Sequence, residues 1–393
     1  MENEWRFGIL LAGMRLEHVK RMWPDMSRKM RIALCIETDG PGGAEVLMIQ
    51  FAQELRERGH YVVPILPTRK VGWLHDRLAE SEFQPESIEL LGAPVPLSVA
   101  MLARILRRNS VEVVHSHEFT MSVVAAFACR RIRARHISTM HGNQEMTRAW
   151  KRRVALRLAF RLTDVVTCVS LDTKKHLIEQ LGGVGEEIRV VPNGVPQRKG
   201  DGRAVRKELS LEPRTLMILA VGGLHPRKGF DVLLQALARM GVGQPWQLII
   251  AGEGPERARL TALANDLGLA EQVRLLGQRE DVPDLQAAAD LFVMPSLWEG
   301  LPLAVLEAML AGTPVVASAV SGIPEAINPD EEQGLLVPPG DIDALAEAVK
   351  GLIVDKERRE RVAAAGQVRA QNDFTTKTMI DTYEAMYYGV EKV

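Results

Sequence analysis

The sequence predicts an α/β fold made of two doubly wound domains in tandem, with a cleft between them. Short β-rich runs alternate with amphipathic segments of helical length, a pattern typical of parallel sheets covered by helices on both faces. The alternation stops at Val190–Pro196, where two prolines exclude a helix or a central strand, and then begins again. A chain of 393 residues is long enough for two or three domains that each bury a core.

The first predicted domain covers residues 30–193 and follows an N-terminal extension, residues 1–29, which we expect to add little to the fold. Five β-rich runs predict its strands, namely Arg31–Ile36, Tyr61–Leu66, Glu112–Ser116, His136–Met140 and Val165–Val169. Three amphipathic stretches predict helices, namely Ala44–Arg58, Leu97–Asn109 and Thr120–Arg131.

The second predicted domain covers residues 194–372 and repeats the pattern. Its predicted strands are Leu216–Val221, Gln247–Ala251, Val273–Leu276, Leu291–Met294, Pro314–Ala317 and Gly334–Val337. Its predicted helices are Gly229–Arg239, Pro255–Leu267, Val282–Ala288, Leu303–Ala311 and Ile342–Leu352. In the C-terminal segment, residues 373–393, a last helix is predicted near Thr375–Tyr388 and is expected to pack back on the first domain. Ligands bind beyond the carboxyl ends of parallel strands, so two facing domains place their site in the cleft.

Charge is balanced over the whole chain but not within each half. The net charge is −1, which argues against a dedicated nucleic-acid-binding protein because such proteins carry a clear basic excess. Residues 1–196 nevertheless carry +6 and the remainder −7. Part of the basic excess lies in residues 148–161, an amphipathic helical pattern with Trp150 near one end. This run is either a solvated helix face or a contact with an anionic acceptor or membrane surface.

Cysteine content and hydropathy indicate the compartment. Three scattered cysteines, Cys35, Cys129 and Cys168, are too few for a disulfide framework or a zinc site. The longest apolar runs fall far short of the roughly 20 residues that cross a bilayer. We therefore expect a cytoplasmic protein, with peripheral contact at the inner face of the membrane as an open alternative.

The densest chemical signal lies in the segment Pro295–Pro314. A strand is predicted to end at Met294 and a helix to begin near Leu303, so the backbone N–H groups around Gly300, Leu301, Leu303 and Ala304 lie at a positive helix end that suits a diphosphate. Glu299 and Glu307 stand eight residues apart across this turn. Two such carboxylates suit two sets of hydroxyls, as on a sugar and a ribose.

This segment resembles the Glu-x7-Glu signature of retaining GT-B glycosyltransferases, in particular glycosyltransferase family 4. The resemblance extends from residue 31 to about 385 and includes further motifs in the family's order. Three of these motifs lie in the second domain: Val221–Phe230, with Gly222 and Gly223, resembles the diphosphate loop, Ala251–Pro255, with Gly252, resembles the Gly-x-Gly-Pro turn, and Leu276–Arg279, with Gly277, Gln278 and Arg279, resembles the nucleobase loop. Two lie in the first domain: Gly40–Glu45, with Gly42 and Gly43, resembles the Gly-Gly loop, and Thr139–Gly142 resembles the segment with the active-site histidine, His141.

The resemblance implies two Rossmann-like domains and a retaining transfer of a hexose-type sugar. The donor would be a nucleotide diphosphate sugar, with UDP favoured, and the acceptor a sugar or lipid-linked hydroxyl in polysaccharide, glycolipid or glycoconjugate biosynthesis. In the front-face displacement that the family implies, a leaving phosphate oxygen helps to deprotonate the acceptor.

Each candidate residue receives a role in this reaction. Arg227 and Lys228 supply two positive charges for the leaving diphosphate. Glu299 would hold the donor sugar and Glu307 the ribose. His141 lies near the donor sugar and phosphates or near the acceptor hydroxyl. On the acceptor side, the candidates are His117 and Glu118.

No metal and no cofactor are expected. Asp341-Ile-Asp343 spells a motif that binds a divalent cation in another glycosyltransferase fold, but it follows Pro338-Pro-Gly340 and opens a predicted helix. A helix N-cap is therefore a sufficient explanation for Asp341. The positive loop and the helix terminus make a metal unnecessary for the departing diphosphate.

One departure from the family pattern leaves alternatives open. Gly223 stands where the family usually has Arg, and Arg227 lies beside Lys228 instead. A non-catalytic nucleotide-sugar-binding subunit of a polymer-assembly complex would fit that change. A GT-B epimerase would instead convert the donor with no acceptor present.

Overall fold

The computed structural model describes residues 27–67, 72–90, 94–142, 149–328, 330 and 332–390. Most of the predicted N-terminal extension therefore lies outside the described residues. The described chain forms two sheets in which every pair of neighbouring strands is parallel, one of seven strands and one of six. The predicted α/β class with two doubly wound domains is confirmed.

The first sheet has the strand order β3-β2-β1-β4-β5-β6-β7. Its strands are β1 Arg31–Cys35, β2 Tyr61–Pro67, β3 Glu86–Ile88, β4 Val113–His117, β5 Arg135–Met140, β6 Val165–Cys168 and β7 Arg189–Val190. The helices between them are α1 Gly43–Glu57, α2 Trp73–Glu80, α3 Val95–Arg108, α4 Phe119–Ile132, α5 Trp150–Leu162 and α6 Leu171–Leu181.

The second sheet has the strand order β10-β9-β8-β11-β12-β13. Its strands are β8 Leu216–Val221, β9 Trp246–Ala251, β10 Val273–Gly277, β11 Leu291–Met294, β12 Val315–Ser318 and β13 Leu335–Val337. The helices from here to the C-terminus are α7 Gly202–Glu208, α8 Phe230–Arg239, α9 Arg257–Asp266, α10 Val282–Ala288, α11 Leu303–Ala311, α12 Ile323–Ala326, α13 Ile342–Val354, α14 Lys356–Asp373 and α15 Thr376–Tyr387.

Several elements were not predicted from the sequence. β3 and β7 have three and two residues, which is too short for an alternating pattern to show. Helix α14 is 18 residues long, but its buried residues are limited to Val362, Gly366 and Ala370. This narrow stripe leaves a mostly charged helix whose apolar periodicity is weak. Strand β4 also continues to His117, past the predicted end at Ser116.

The last helix, α15, returns to the first sheet. Its Tyr383 and Tyr387 side chains are buried and hydrogen-bond to residues of β4, β5 and β6. Arg58, at the end of α1, forms ion pairs with Asp381 and Glu384 of α15 at 2.6 and 2.7 Å. The chain thus ties its C-terminal helix to the first sheet by both packing and charge.

The carboxyl ends of the two sheets face each other. A Cβ built on Gly43, at the start of α1, would lie 3.8 Å from the Leu303 side chain at the start of α11. Gly142, after β5, comes still closer to Gly300, after β11: a Cβ on Gly142 would lie 3.2 Å from the Gly300 Cα. These contacts bring the loops that carry the predicted motifs together from both domains.

No helix in the described part of the chain is both long and apolar enough to cross a membrane.

Candidate active site

Both sheets have a switch point, where the strand order reverses direction, and several of the predicted residues follow the strands there. In the second sheet, β8 and β11 are neighbours, and the chain leaves them toward helices on opposite sides. Lys228 follows β8 and Glu299 follows β11. Parallel-sheet topology therefore brings together two residues that lie 71 positions apart in the chain.

Glu299 and Lys228 form an ion pair at this switch point. Lys228 Nζ lies 2.5 Å from Glu299 Oε1, and both side chains are largely buried. Ser296 Oγ donates a second hydrogen bond to Glu299 Oε1 at 2.7 Å. The backbone N–H of Glu299 donates to Ser321 Oγ at 3.2 Å. The carboxylate is thus held in one orientation before any ligand is present.

Glycines of neighbouring loops lie close to this ion pair: a Cβ on Gly222 would lie 3.2 Å from Lys228 Cε. Gly252 has a φ of +153°, and a Cβ there would overlap the Gly222 carbonyl oxygen. Its N–H donates to the Gly277 carbonyl at 2.8 Å. The loops after β8, β9 and β10 therefore approach each other as bare backbone, which leaves room for a phosphate-bearing ligand.

Arg227 lies beside Lys228 in a short 3₁₀ turn, Pro226–Lys228. Its guanidinium carbon lies 5.7 Å from the centroid of the Trp298 ring. The Arg227 carbonyl accepts a hydrogen bond from the Leu297 N–H at 2.8 Å. Both contacts fasten the basic turn to the segment that carries Glu299. A Cβ at Gly223 would lie 3.2 Å from the His225 ring, so the His225 side chain occupies the space next to that glycine.

Glu307 lies in α11, one turn after Leu303, as predicted. Burial raises the pKa of its carboxyl, and the nearby charge of Arg198 opposes that rise. Arg198 was not predicted, because it lies in the loop between the domains, where no periodic signal marks a residue. A carboxyl in this setting suits a ligand that donates hydrogen bonds.

In the predicted nucleobase loop, two carboxylates bind the Arg279 side chain. Arg279 forms ion pairs with Glu208 at 2.6 Å and with Asp281 at 2.6 Å, which hold its guanidinium. The two carboxylates raise the pKa of Arg279, and the Arg279 guanidinium in turn lowers the pKa of Asp281.

From the first domain, the segment with His141 reaches the same turn. A Cβ on Gly300 would overlap the His141 carbonyl oxygen, so glycine is required for this approach. His141 Nε2 lies 2.9 Å from His117 Nδ1, and their rings stack with centroids 5.2 Å apart. Burial lowers the pKa of His141 to about 4 and holds that of His117 well below its ordinary value. Both imidazoles are therefore neutral near pH 7.

His117 is fully buried, so it does not face the cleft directly as the loop position predicted for it implied. Its Nε2 atom has no hydrogen-bond partner among the described residues. Glu118, the next residue, has a φ of +67°, which is uncommon for a non-glycine residue. Burial, together with the charges of Glu37 and Glu45, raises the pKa of Glu118 to about 8.

Glu37 and Glu45 place two more carboxylates at the switch point of the first sheet, between β1 and β4. Glu37 Oε2 accepts hydrogen bonds from the N–H groups of Thr120 and Met121 at the start of α4. Burial raises the pKa of Glu45, which lies in the first turn of α1. The sequence pattern did not single out these residues, because each lies in a loop or first turn where acidic residues are common.

In the portions of the chain that the structure describes, no group of three or more His, Cys, Asp or Glu side chains is arranged to hold a metal ion. Asp341 accepts a hydrogen bond from the Ala344 N–H at 2.9 Å and so caps α13. Asp343 forms an exposed ion pair with Arg239 at 2.8 Å. The two aspartates therefore point to different partners.

Comparisons with known proteins show the family of this chain. The model of the family described as Glycosyl transferases group 1 matches residues 202–369, and that of Glycosyltransferase Family 4 matches residues 41–199. The lipopolysaccharide core biosynthesis glycosyltransferase LpsE of Rhizobium meliloti (strain 1021) is 30% identical over 357 residues, which cover 87% of this chain and 94% of that protein. The chain belongs to glycosyltransferase family 4.

Other relatives of this family 4 glycosyltransferase include a GDP-mannose-dependent monoacylated alpha-(1-6)-phosphatidylinositol monomannoside mannosyltransferase of Corynebacterium glutamicum, 30% identical and matched over 75% of this chain and 80% of that protein. Among solved structures, Anabaena Alr3699/HepE in complex with UDP-glucose has a TM-score of 0.79 and 25% identity, covering 92% of this chain and 100% of that one. The glycosyltransferase WaaG has a TM-score of 0.67 at 19% identity, covering 91% and 100% respectively, and shows the fold alone. The predicted GT-B architecture is confirmed.

The structure of this glycosyltransferase joins some predicted residues and separates others. Glu299 contacts Lys228, and Gly300 contacts the segment of His141. The Arg279 side chain is held instead by carboxylates of its own domain. Sequence reasoning missed Ser296, although a hydroxyl directly after a buried strand and three residues before Glu299 is a usable signal.

Proposed function

We propose that this enzyme is a retaining, metal-independent glycosyltransferase that moves a hexose-type sugar from a nucleotide diphosphate sugar, with UDP favoured, to an acceptor hydroxyl. The observation that carries the proposal is the Lys228–Glu299 ion pair next to the first turn of α11. It combines a cation for a diphosphate and a carboxylate for sugar hydroxyls within one buried site. The proposed products belong to glycolipid, polysaccharide or glycoconjugate biosynthesis.

The leaving diphosphate would be stabilised by fixed positive charge. Lys228, Arg227 and the N–H groups at the start of α11 lie around one turn, and such donors are most effective when water is excluded. Two cationic side chains and a helix terminus supply the charge that a divalent cation supplies elsewhere. This is the basis for proposing a mechanism without a metal.

The donor sugar and ribose would be held by the two glutamates. When a diphosphate draws Lys228 away, Glu299 keeps its bond from Ser296 and gains free acceptor sites for sugar hydroxyls. Glu307, in its buried setting, would accept from the ribose.

The proposed reaction balances without a protein nucleophile. The bond between the anomeric carbon and the phosphate oxygen breaks, a bond to the acceptor oxygen forms on the same face, and the acceptor proton moves to the leaving phosphate oxygen. Neutral His141 would take part as a hydrogen-bonding group near these atoms, since burial lowers its pKa to about 4.

The relatives support a nucleotide donor without settling which one. The Anabaena protein binds UDP-glucose, whereas the Corynebacterium relative is named as GDP-mannose-dependent. A thermal-shift panel of UDP, GDP, ADP and their sugars is the first test, because a true donor stabilises the folded state in proportion to its affinity. We expect UDP and a UDP-hexose to give the largest shifts.

Activity assays then distinguish a glycosyltransferase from a non-catalytic subunit and from an epimerase. With the donor and a sugar or lipid-linked acceptor, we expect transfer with retained anomeric configuration by NMR, unchanged by EDTA. Binding without transfer or donor hydrolysis would indicate a non-catalytic subunit. Conversion of the donor without an acceptor would indicate an epimerase. Inversion of the anomeric centre, or loss of transfer in EDTA, would overturn the mechanistic part of the proposal.

The acceptor side would include an anionic membrane surface. On α5, Trp150, Val154 and Leu158 are 63%, 51% and 46% exposed and lie four residues apart, so they form one apolar stripe. Lys151 and Arg161 lie on the same helix, which carries no acidic residue. An apolar stripe on a cationic helix is typical of interfacial helices, and relatives named for lipopolysaccharide and phosphatidylinositol mannosides fit an amphiphilic acceptor.

Vesicle co-sedimentation tests this part. We expect binding to vesicles that contain phosphatidylglycerol and weak binding to pure phosphatidylcholine, with loss of binding in a Trp150→Ser, Leu158→Ser variant. The matched control is Val368→Ser, which removes an equally exposed apolar side chain from α14. Equal binding by the α5 variant and the control would contradict membrane contact through α5.

A further inference from the structure

Beneath the candidate site, a column of four aromatic rings connects His141 to the C-terminal helix. The ring centroids of His141 and His117 are 5.2 Å apart, those of His117 and His115 are 4.3 Å apart, and those of His115 and Tyr383 are 4.7 Å apart. Phe51 of α1 packs edge-on against His115, His117 and Tyr383. His115, His117 and Tyr383 are buried, so a shift of one ring displaces its neighbours.

A hydrogen-bonded chain fixes the central ring. Tyr387 Oη lies 2.7 Å from His115 Nδ1, and His115 Nε2 lies 2.7 Å from Thr139 Oγ1. Thr139 Oγ1 is 2.7 Å from Thr167 Oγ1, which donates to the Ser138 carbonyl oxygen at 3.3 Å.

A carbonyl can only accept, so the hydrogen bond from Thr167 to Ser138 gives this chain a direction. The Tyr383 hydroxyl, 3.1 Å from Thr139 Oγ1 and 3.2 Å from Thr167 Oγ1, is a further partner of both threonines. Thr167 donates to the Ser138 carbonyl, Thr139 donates to Thr167, and His115 Nε2–H donates to Thr139. His115 Nδ1 is then unprotonated and accepts from the Tyr387 hydroxyl. The Thr139 side of the chain thus sets the Nε2–H tautomer of His115, and the hydrogen bond from the Tyr387 hydroxyl to Nδ1 fixes the orientation of the ring.

The oriented His115 ring in turn supports the pair that faces the active site. His117 lies between His115 and His141, and its Nδ1 shares a single proton with His141 Nε2 when both imidazoles are neutral. Because that bond occupies Nε2, the nitrogen of His141 left for a ligand is Nδ1. A rotation of His115 would disturb His117 and therefore the nitrogen that His141 presents.

We propose that Tyr387, on the C-terminal helix, is a positioning residue for sugar transfer that acts through His115 and His117 on His141. The inference rests on the proposed function, in which His141 lies near the reacting groups. It assigns the returning helix α15 a part in the reaction besides its part in stability.

The test compares Tyr387→Phe with Tyr388→Phe. Both changes remove one hydroxyl, but the Tyr388 hydroxyl donates to the Arg28 carbonyl at 2.5 Å, away from the ring column. For Tyr387→Phe we expect kcat to fall about tenfold, the effect of one lost buried hydrogen bond, with the donor KM within twofold of wild type. Tyr388→Phe is expected to keep the wild-type kcat.

Long-range ¹H–¹⁵N correlation spectra of histidine-labelled protein provide a readout that a purely structural role would not move. We expect His115 to show the Nε2–H pattern in the wild type. In Tyr387→Phe we expect its Nδ1 signal to shift, because the hydrogen bond from the tyrosine is lost, and the His117 and His141 signals to shift with it. Thr139→Val removes the other partner of His115 and is expected to shift the histidine signals and to lower kcat as well. Unchanged histidine signals and kcat in both variants would overturn the inference.

A third variant separates this inference from the proposed function. If His141→Ala transfers sugar at the wild-type rate, the proposed role of His141 is wrong. If His141→Ala is inactive while folded Tyr387→Phe has wild-type kcat and spectra, only the positioning role of Tyr387 is overturned.

Discussion

Lys228 and Glu299 neutralise each other, so the proposed donor would have to give each of them a new partner. The buried pair is costly to break by removing one member, because the remaining charge is left without a partner. In the proposed function, a diphosphate would offer Lys228 a stronger anion, and the sugar would offer hydroxyls to Glu299. This exchange couples recognition of the diphosphate to recognition of the sugar.

Replacement of Glu299 by Gln is expected to separate recognition of the sugar from recognition of the diphosphate. Transfer should fall about 100-fold, because the hydrogen bonds from the sugar to a charged acceptor are lost. Affinity for the free nucleoside diphosphate should rise, because Lys228 no longer has a competing carboxylate. Transfer kinetics and calorimetric titration with UDP measure the two effects. The control is Glu347→Gln on the exposed face of α13, and an unchanged transfer rate in Glu299→Gln would contradict the assigned role.

The raised pKa of Glu118 predicts that the stability of the folded protein depends on pH. Its pKa is raised to about 8 in the folded protein by burial and by Glu37 and Glu45, so the folded state binds its proton more tightly than the unfolded state. Stability is therefore lost as pH rises toward 8, by about 1 kcal/mol between pH 7 and pH 8. In Glu118→Gln, this part of the loss should disappear. The midpoints of urea unfolding of both proteins at pH 7 and pH 8 measure the difference. An equal change in midpoint between the two pH values for wild type and Glu118→Gln would contradict the prediction.

Helix α13 shows how an element can account for residues that resemble a metal motif. Asp341 caps the helix through the Ala344 N–H, and Asp343 pairs with Arg239 across to α8. Separate local bonds for the two carboxylates explain both residues without an ion.

Asp341→Ala is expected to destabilise the enzyme by about 1 kcal/mol, the usual effect of losing an N-cap. Asp343→Ala should cost less, because its ion pair is exposed. Neither change should alter transfer, with or without added Mn²⁺. Thermal unfolding and transfer assays measure these effects, and a Mn²⁺-dependent loss of activity in Asp341→Ala would show that the cap explanation is insufficient.

At the scale of the whole molecule, two contacts at separate places join the domains. The Glu325 carboxylate of α12 accepts from the Leu171 and Asp172 N–H groups at 2.7 and 2.9 Å, so the second domain caps helix α6 of the first. Arg77 of α2 pairs with Glu280, which follows β10. Both contacts hold the domains in the arrangement that brings Gly300 to His141.

Loss of both contacts is expected to open the enzyme. We predict that Glu325→Ala combined with Glu280→Ala increases the radius of gyration of the protein in small-angle X-ray scattering, because both contacts between the domains are lost. The two changes are combined because each contact is exposed and contributes at most about 1 kcal/mol. Glu332→Ala, which removes an acidic side chain paired with Arg361 in the same domain, is the control. If the double variant and the control scatter alike, other contacts set the domain arrangement.

Features that depend on neighbouring residues were predictable. The strand β8 is a continuous apolar run, and the turn from β11 into α11 carries its glycine, proline and glutamates within about ten residues. Features that depend on a narrow apolar stripe or on a very short element were not predictable from the sequence. Helix α14 buries only every fourth residue, and β7 has two residues, so neither gives a periodic signal that exceeds the background.

The sequence by itself determined the α/β class, the two-domain organisation and the segments that carry the chemistry, because strand and helix patterns and helix-end signals are local. Tertiary structure alone decided that His115 meets Tyr387, 272 residues away, and that Glu37 and Glu45 raise the pKa of Glu118. Such contacts depend on how helices cross and domains close, and burial acts on a side chain only once distant segments have excluded water around it. Local sequence therefore indicated the candidate site, and packing decided the charge and the partners of its residues.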